Sequence, residues 1–136
     1  MSQQQRVVTY GVGEELPALS KLMTQEKIAR YADASGDRNP LHIDAVFAAT
    51  TQFGGPIAHG MLVLAYLSEM LTAAFGEKWV ATGRMKARFR APAHPGDTVT
   101  AAGRVTKVEN GMLRCECECR SQTGEILVAA EVDVPW

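Results

Sequence analysis

Between Ser35 and Asp44 the chain reads Ser-Gly-Asp-Arg-Asn-Pro-Leu-His-Ile-Asp, its densest run of chemically useful side chains. Asp37, Asn39 and His42 fall close together, and Gly36 and Pro40 constrain the backbone around them. A carboxylate and an imidazole converging on one point hold a water, take a proton from it and return one elsewhere. The bland reading is a polar loop closed by an N-cap aspartate, because Asp and Asn are common turn formers. A second run, Pro56-Ile57-Ala58-His59-Gly60-Met61, opens an apolar stretch. A helix starting there exposes unpaired N–H groups, and a glycine lets a ligand carbonyl approach them. Donors so placed stabilise a developing oxyanion. On the alternative reading, His59 and Gly60 simply begin a helix.

The elements that must position these residues are legible from caps and periodicity. Thr24 is a good N-cap, Glu26 suits the first turn, and Gly36 is placed to end the helix between them. Asn39 precedes proline, so Asp37–His42 is expected to be non-helical. Asp44 caps a short helical piece, Ala45–Thr50, ahead of the turn Gly54-Gly55-Pro56. Gly60–Phe75 is the long helix. It is apolar nearly all round, with Ser68, Glu69 and Thr72 on one narrow stripe, so it is expected in the middle of the fold.

The second half reads as strands. Trp79–Ala91 alternates Met85, Ala87, Phe89 and Ala91 against Arg84, Lys86, Arg88 and Arg90. Pro95-Gly96-Asp97 turns into Thr98–Val108, Asn110-Gly111 is a strong hairpin signal leading to Met112–Arg120, and Gln122–Glu125 turns into Ile126–Val134. Cys115, Cys117 and Cys119 alternate on one strand face, the pattern of core thiols in a reducing compartment rather than of metal ligands. Periodicity alone supports an α+β fold with a central helix.

The 136 residues carry 46% apolar and 21% charged side chains, the profile of an ordinary globular protein, and are expected to form one domain, 1–136. A net charge of −1 gives no global field for nucleic acid or an anionic membrane, so affinity for a phosphorylated ligand must come from local cations. No signal peptide is read in the polar Met1–Arg6 stretch, and no apolar run is long enough to span a bilayer. A cytoplasmic location is the expectation. The Arg84, Lys86, Arg88 and Arg90 stripe is a candidate cradle for phosphates or an ordinary solvated sheet face.

Taken together, Tyr31-Ala32, Ser35–His42, Phe53, Pro56-Ile57, His59-Gly60-Met61, Phe89–Pro92 and Pro95-Gly96-Asp97 resemble the pattern of the MaoC-like dehydratases, specifically the (R)-specific enoyl-CoA hydratases. The resemblance runs from about residue 10 to the end. It implies a hotdog fold, a curved antiparallel sheet around a long central helix, and usually a homodimer or a dimer of dimers. It implies syn hydration of a trans-2-enoyl thioester to the (R)-3-hydroxyacyl thioester, or the reverse dehydration, with coenzyme A as part of the substrate and no metal or other cofactor. Carried onto this chain, Asp37 and His42 grip the water, Asn39 helps orient it, and the Gly60 N–H polarises the thioester carbonyl. Ser68 falls where some members place a serine that steadies the pair. His59, Leu71, Arg84, Lys86 and Arg88 are the candidates for substrate contact, Leu71 because it follows Ser68 by three residues on the same helix face. The competing readings are an acyl-CoA thioesterase on the same fold, and a non-catalytic acyl-thioester-binding subunit.

Overall fold

The computed structural model describes residues 9–136. The polar Met1–Arg6 stretch lies outside the described residues. A short strand β1, Leu19–Leu22, leads into helix α1, Gln25–Ser35. Thr24 caps α1 by accepting the Lys27 N–H at 3.1 Å, and Gly36 ends it in the left-handed region at φ 78°. Both ends fall where the caps placed them.

The next segment differs from expectation. Asn39 is non-helical, as a residue before proline should be, but Pro40–Ile43 forms a helical turn, α2, that contains His42. Proline restricts the residue ahead of it while being well suited to the first helical position itself. The Asn39 carboxamide completes the turn by accepting the Leu41 N–H at 3.0 Å. Helix α3, Ala45–Ala49, follows, its Val46 and Phe47 N–H groups both donating to the Asp44 carboxylate.

Helix α4 spans Gly60–Phe75, the range read from the sequence. It is buried on one side rather than all round: Val63, Tyr66, Leu67, Met70, Leu71 and Phe75 enter the core, whereas Met61 is 55% exposed. A second correction concerns Trp79, expected at the start of a strand. Glu77–Thr82 forms a helix, α5, and the strand β2 covers only Arg84–Phe89. Trp79 is buried there with its indole N–H donating to the Ser68 hydroxyl at 3.0 Å. A Cβ at Gly83 would come within 2.0 Å of the Trp79 ring, so only glycine lets the chain turn this closely past it into β2.

Three long strands complete the sheet: β3, Thr98–Glu109, β4, Met112–Arg120, and β5, Ile126–Pro135. Asn110 and Gly111, at φ 53° and 74°, make the β3–β4 hairpin. All pairings are antiparallel in the order β1-β3-β4-β5-β2, with register shifts at Val105/Lys107 and Cys119/Arg120 that bend the strands. The result is the α+β hotdog arrangement, the sheet covering the apolar side of α4. Register explains how the helix gets close. Gly103, Cys117, Ala130 and Ala87 lie side by side across four strands, a row of small residues. A Cβ at Gly103 would meet Cys117 Sγ at 2.8 Å and the Met70 terminal methyl of α4 at 3.2 Å. The three cysteines are free and buried in the core; burial pushes the Cys115 and Cys119 thiols up to about 12, and that of Cys117 higher still. Among the described residues, no helix is long and apolar enough to cross a membrane.

Candidate active site

The Ser35–Leu41 segment is braced by its own side chains. The Asp37 N–H donates to the Ser35 hydroxyl at 3.1 Å and the Asn39 N–H to the Asp37 carboxylate at 3.3 Å. These short-range bonds hold the loop open between α1 and α2, with Asp37 exposed. One turn of helix later His42 points inward and is 9% exposed. Its Nδ1 lies 2.7 Å from the Ile57 carbonyl. A carbonyl only accepts, so Nδ1 carries the hydrogen and Nε2 keeps its lone pair free.

His59, immediately before α4, packs beneath the pair. It is 2% exposed, its ring stacks on His42 with centroids 3.8 Å apart and planes at 25°, and Tyr31 of α1 covers it with centroids 4.7 Å apart. Its Nε2 lies 2.9 Å from the Asp37 backbone carbonyl and therefore donates. Polar atoms of Asp37, His42 and His59 all come within 4.8 Å of one another. The donor types would suit a metal ion, but the geometry fits one poorly. Two stacked rings aim their in-plane lone pairs side by side, whereas a bound ion needs them to converge at about 2 Å.

Beside this cluster the start of α4 borders an open cleft of about 280 Å³, lined largely by apolar residues including Phe53, Ile57, Gly60, Val63 and Phe89, with Arg90 at its margin. The Ile57–Gly60 segment therefore serves both features: it anchors His42 on one side and walls the cleft on the other. A Cβ at Gly60 would meet the Phe89 ring at 2.9 Å, so the glycine is matched to that ring.

Other candidates lie elsewhere. Ser68 is about 12 Å further along α4 than Gly60, from the helical rise, and its hydroxyl accepts from Trp79. Leu71 is fully buried in the core and does not line the cleft. Val63 does, one turn from Gly60 on the same face; that helical spacing was the available signal for it. Arg84, Lys86 and Arg88 are exposed on the sheet face turned away from α4. There Arg84 pairs across with Asp133, and Lys86 with Glu131, so carboxylates of the neighbouring strand face two of these cations.

A fold of this topology, with a carboxylate and an imidazole brought together ahead of a buried helix, defines a class. Residues 8–124 match the family of the MaoC like domain, and the chain belongs to that family. It is 41% identical over 118 residues to the (R)-specific enoyl-CoA hydratase of Aeromonas caviae, covering 85% of this chain and 88% of that one. It is 31% identical over 114 residues to the 3-hydroxybutyryl-CoA dehydratase of Methylorubrum extorquens, covering 81% of this chain and 70% of that one. Among solved structures, the A. caviae (R)-hydratase involved in PHA biosynthesis superposes with a TM-score of 0.80 at 32% identity, covering 93% of this chain and 96% of that one. The unliganded R-hydratase PhaJ1 of Pseudomonas aeruginosa superposes at 0.82 and 29% identity, covering 93% and 81%.

Proposed function

We propose that the chain is a hydro-lyase that adds water to trans-2-enoyl-CoA to give (R)-3-hydroxyacyl-CoA, and catalyses the reverse dehydration. The observation that carries this reading is the convergence of Asp37 and His42 beside the start of α4 and its apolar cleft. The Asp37 carboxylate and the bare Nε2 of His42 are two acceptors, so a water between them donates one hydrogen to each. Asn39 spends its Oδ1 on capping α2, and its Nδ2 remains to orient that water.

In the hydration direction the pair takes one proton from the water as its oxygen bonds to C3. The π electrons of the double bond shift toward C2, and negative charge builds on the thioester oxygen. A Gly60 N–H at the helix start stabilises that oxyanion. The proton then returns from the pair to C2 on the same face, leaving both residues as they began. Nothing is oxidised or reduced, so the chemistry needs no redox cofactor.

The exposed side of α4 around Met61 and the unpaired edges of β1 and β2 support a homodimer with sheet edges meeting. Buried reduced thiols accord with a cytoplasmic protein. The test is hydration of crotonyl-CoA by the purified protein, followed by loss of enoyl absorbance, with product configuration read by an (R)-specific 3-hydroxyacyl-CoA dehydrogenase. Asp37→Asn and His42→Ala are each expected to lower kcat by ~10²–10⁴. Release of free coenzyme A without hydration would instead establish thioesterase activity.

A further inference from the structure

We propose that His59 is a positioning residue that clamps Asp37 and His42 into one geometry, rather than a contact for the substrate. The inference rests on the reading that those two residues carry the reaction. His59 is almost wholly buried and touches three separate elements at once. Through Nε2 it donates to the backbone carbonyl of Asp37, which fixes the loop bearing the carboxylate. Through its ring face it stacks on His42, which fixes the plane in which the His42 Nε2 lone pair points. Tyr31 of α1 closes over it. The loop bonds of Ser35 and Asp37 are local and exposed, so they shape the loop without tying it to the body of the protein. The His59 bond ties it to the start of α4, the helix that walls the cleft.

The remaining ring nitrogen supports this assignment. His59 Nδ1 is buried without a hydrogen-bond partner, which costs stability that a purely structural aromatic would not. A phenylalanine would fill the same space and stack without that cost, but it would not donate to the Asp37 carbonyl. What the imidazole adds over a phenyl ring is the Nε2–H donor on the Asp37 carbonyl.

Two substitutions separate the functions. His59→Phe keeps a ring against His42 and removes the donor; His59→Gln places an amide N–H near the Nε2 position and removes the ring. His59→Phe is expected to lower kcat ~10–100-fold with KM changed less than about threefold, the pattern of a displaced reacting group. His59→Gln is expected to recover the share of that loss due to the Asp37 carbonyl bond, while giving up the ring stack on His42. Amide hydrogen exchange at Asp37 and Asn39 should quicken in His59→Phe and stay near wild type in His59→Gln. The wild-type imidazole should show the Nε2–H tautomer in two-bond 15N–1H spectra. An unchanged kcat in folded His59→Phe, a loss confined to KM, exchange at Asp37 and Asn39 as fast in His59→Gln as in His59→Phe, or the Nδ1–H tautomer would each overturn the proposal. The exchange and tautomer readouts need no turnover. A wild-type protein inactive on enoyl thioesters therefore sinks the functional reading and leaves the clamp to be decided by those two measurements.

Discussion

Ser68→Ala separates a role in holding the fold from a role at the reacting pair. In the structure the Ser68 hydroxyl accepts the Trp79 indole N–H at 3.0 Å, joining α4 to α5. Removing the oxygen leaves a largely buried donor without its partner. A full desolvation penalty would be ~1–3 kcal/mol, but Ser68 is only half-buried and water recovers part of it, so about 1–2 kcal/mol is expected. For a chain of this size that corresponds to a fall in Tm of roughly 3–7 °C. Trp79→Phe removes the donor instead. If the bond is the whole effect, the double variant should cost about 1 kcal/mol less than the sum of the two single ones. The assay is urea unfolding at fixed protein concentration, because the stability of the proposed dimer would depend on it, paired with initial hydration rates at 25 °C, well below the transition. The expected result is a lowered midpoint with kcat within about twofold of wild type, since ordinary local effects on an unrelated site are small. An unchanged midpoint together with a tenfold fall in kcat would refute this reasoning and put Ser68 at the reacting pair.

Acyl-chain selection should follow Val63 and not Leu71: Leu71→Ala is expected to destabilise the protein by ~2–5 kcal/mol while leaving the eight-carbon to four-carbon rate ratio unchanged. Val63→Ala, which enlarges the cleft, should raise that ratio; the same panel of enoyl-CoAs checks both. The Arg114 guanidinium forks onto Asp133 at 2.7 and 3.2 Å and holds that carboxyl below its usual range. A lowered folded value stabilises above the unfolded carboxyl range and is lost as pH falls through the folded one. Asp133→Asn should therefore cost up to ~1 kcal/mol near neutrality, as partly exposed pairs do, and that cost should fade as the pH drops through the folded carboxyl's lowered range, measured as paired urea midpoints. With their thiols pushed up by burial, Cys115, Cys117 and Cys119 should not react with a disulfide reagent at pH 8 until the protein is unfolded; fast labelling of the native protein would contradict the packing.

What the sequence determined by itself was whatever a few neighbouring residues decide. Thr24 and Gly36 bracket α1 and Asn110-Gly111 turns β3 into β4, because caps and left-handed turns are satisfied within one turn of chain, and a mostly apolar run marks α4 from Gly60 to Phe75. The alternation of Cys115, Cys117 and Cys119 likewise gave their inward face at once. The grouping of Asp37, Asn39 and His42 was legible too, since six residues of chain hold them near one another.

The tertiary structure decided everything that depends on distant partners. Trp79 has strand-like neighbours in sequence, yet it sits in a helix because its indole finds the Ser68 hydroxyl and its ring fits against Gly83. The basic stripe of β2 left a phosphate cradle and a solvated sheet face both open in sequence, and only register shows Asp133 and Glu131 opposite Arg84 and Lys86. Leu71 and Val63 are both apolar residues of α4, and only the placement of Phe89 and Val128 around the cleft at its first turn leaves Val63 on the cleft and Leu71 in the core. His59 is the plainest case. Its partners are 22 residues back at the Asp37 carbonyl and across a ring stack to His42, and no periodicity encodes either. Long-range contacts come from the summed burial of many side chains, so a residue whose role is to join two segments becomes visible only once both have been placed.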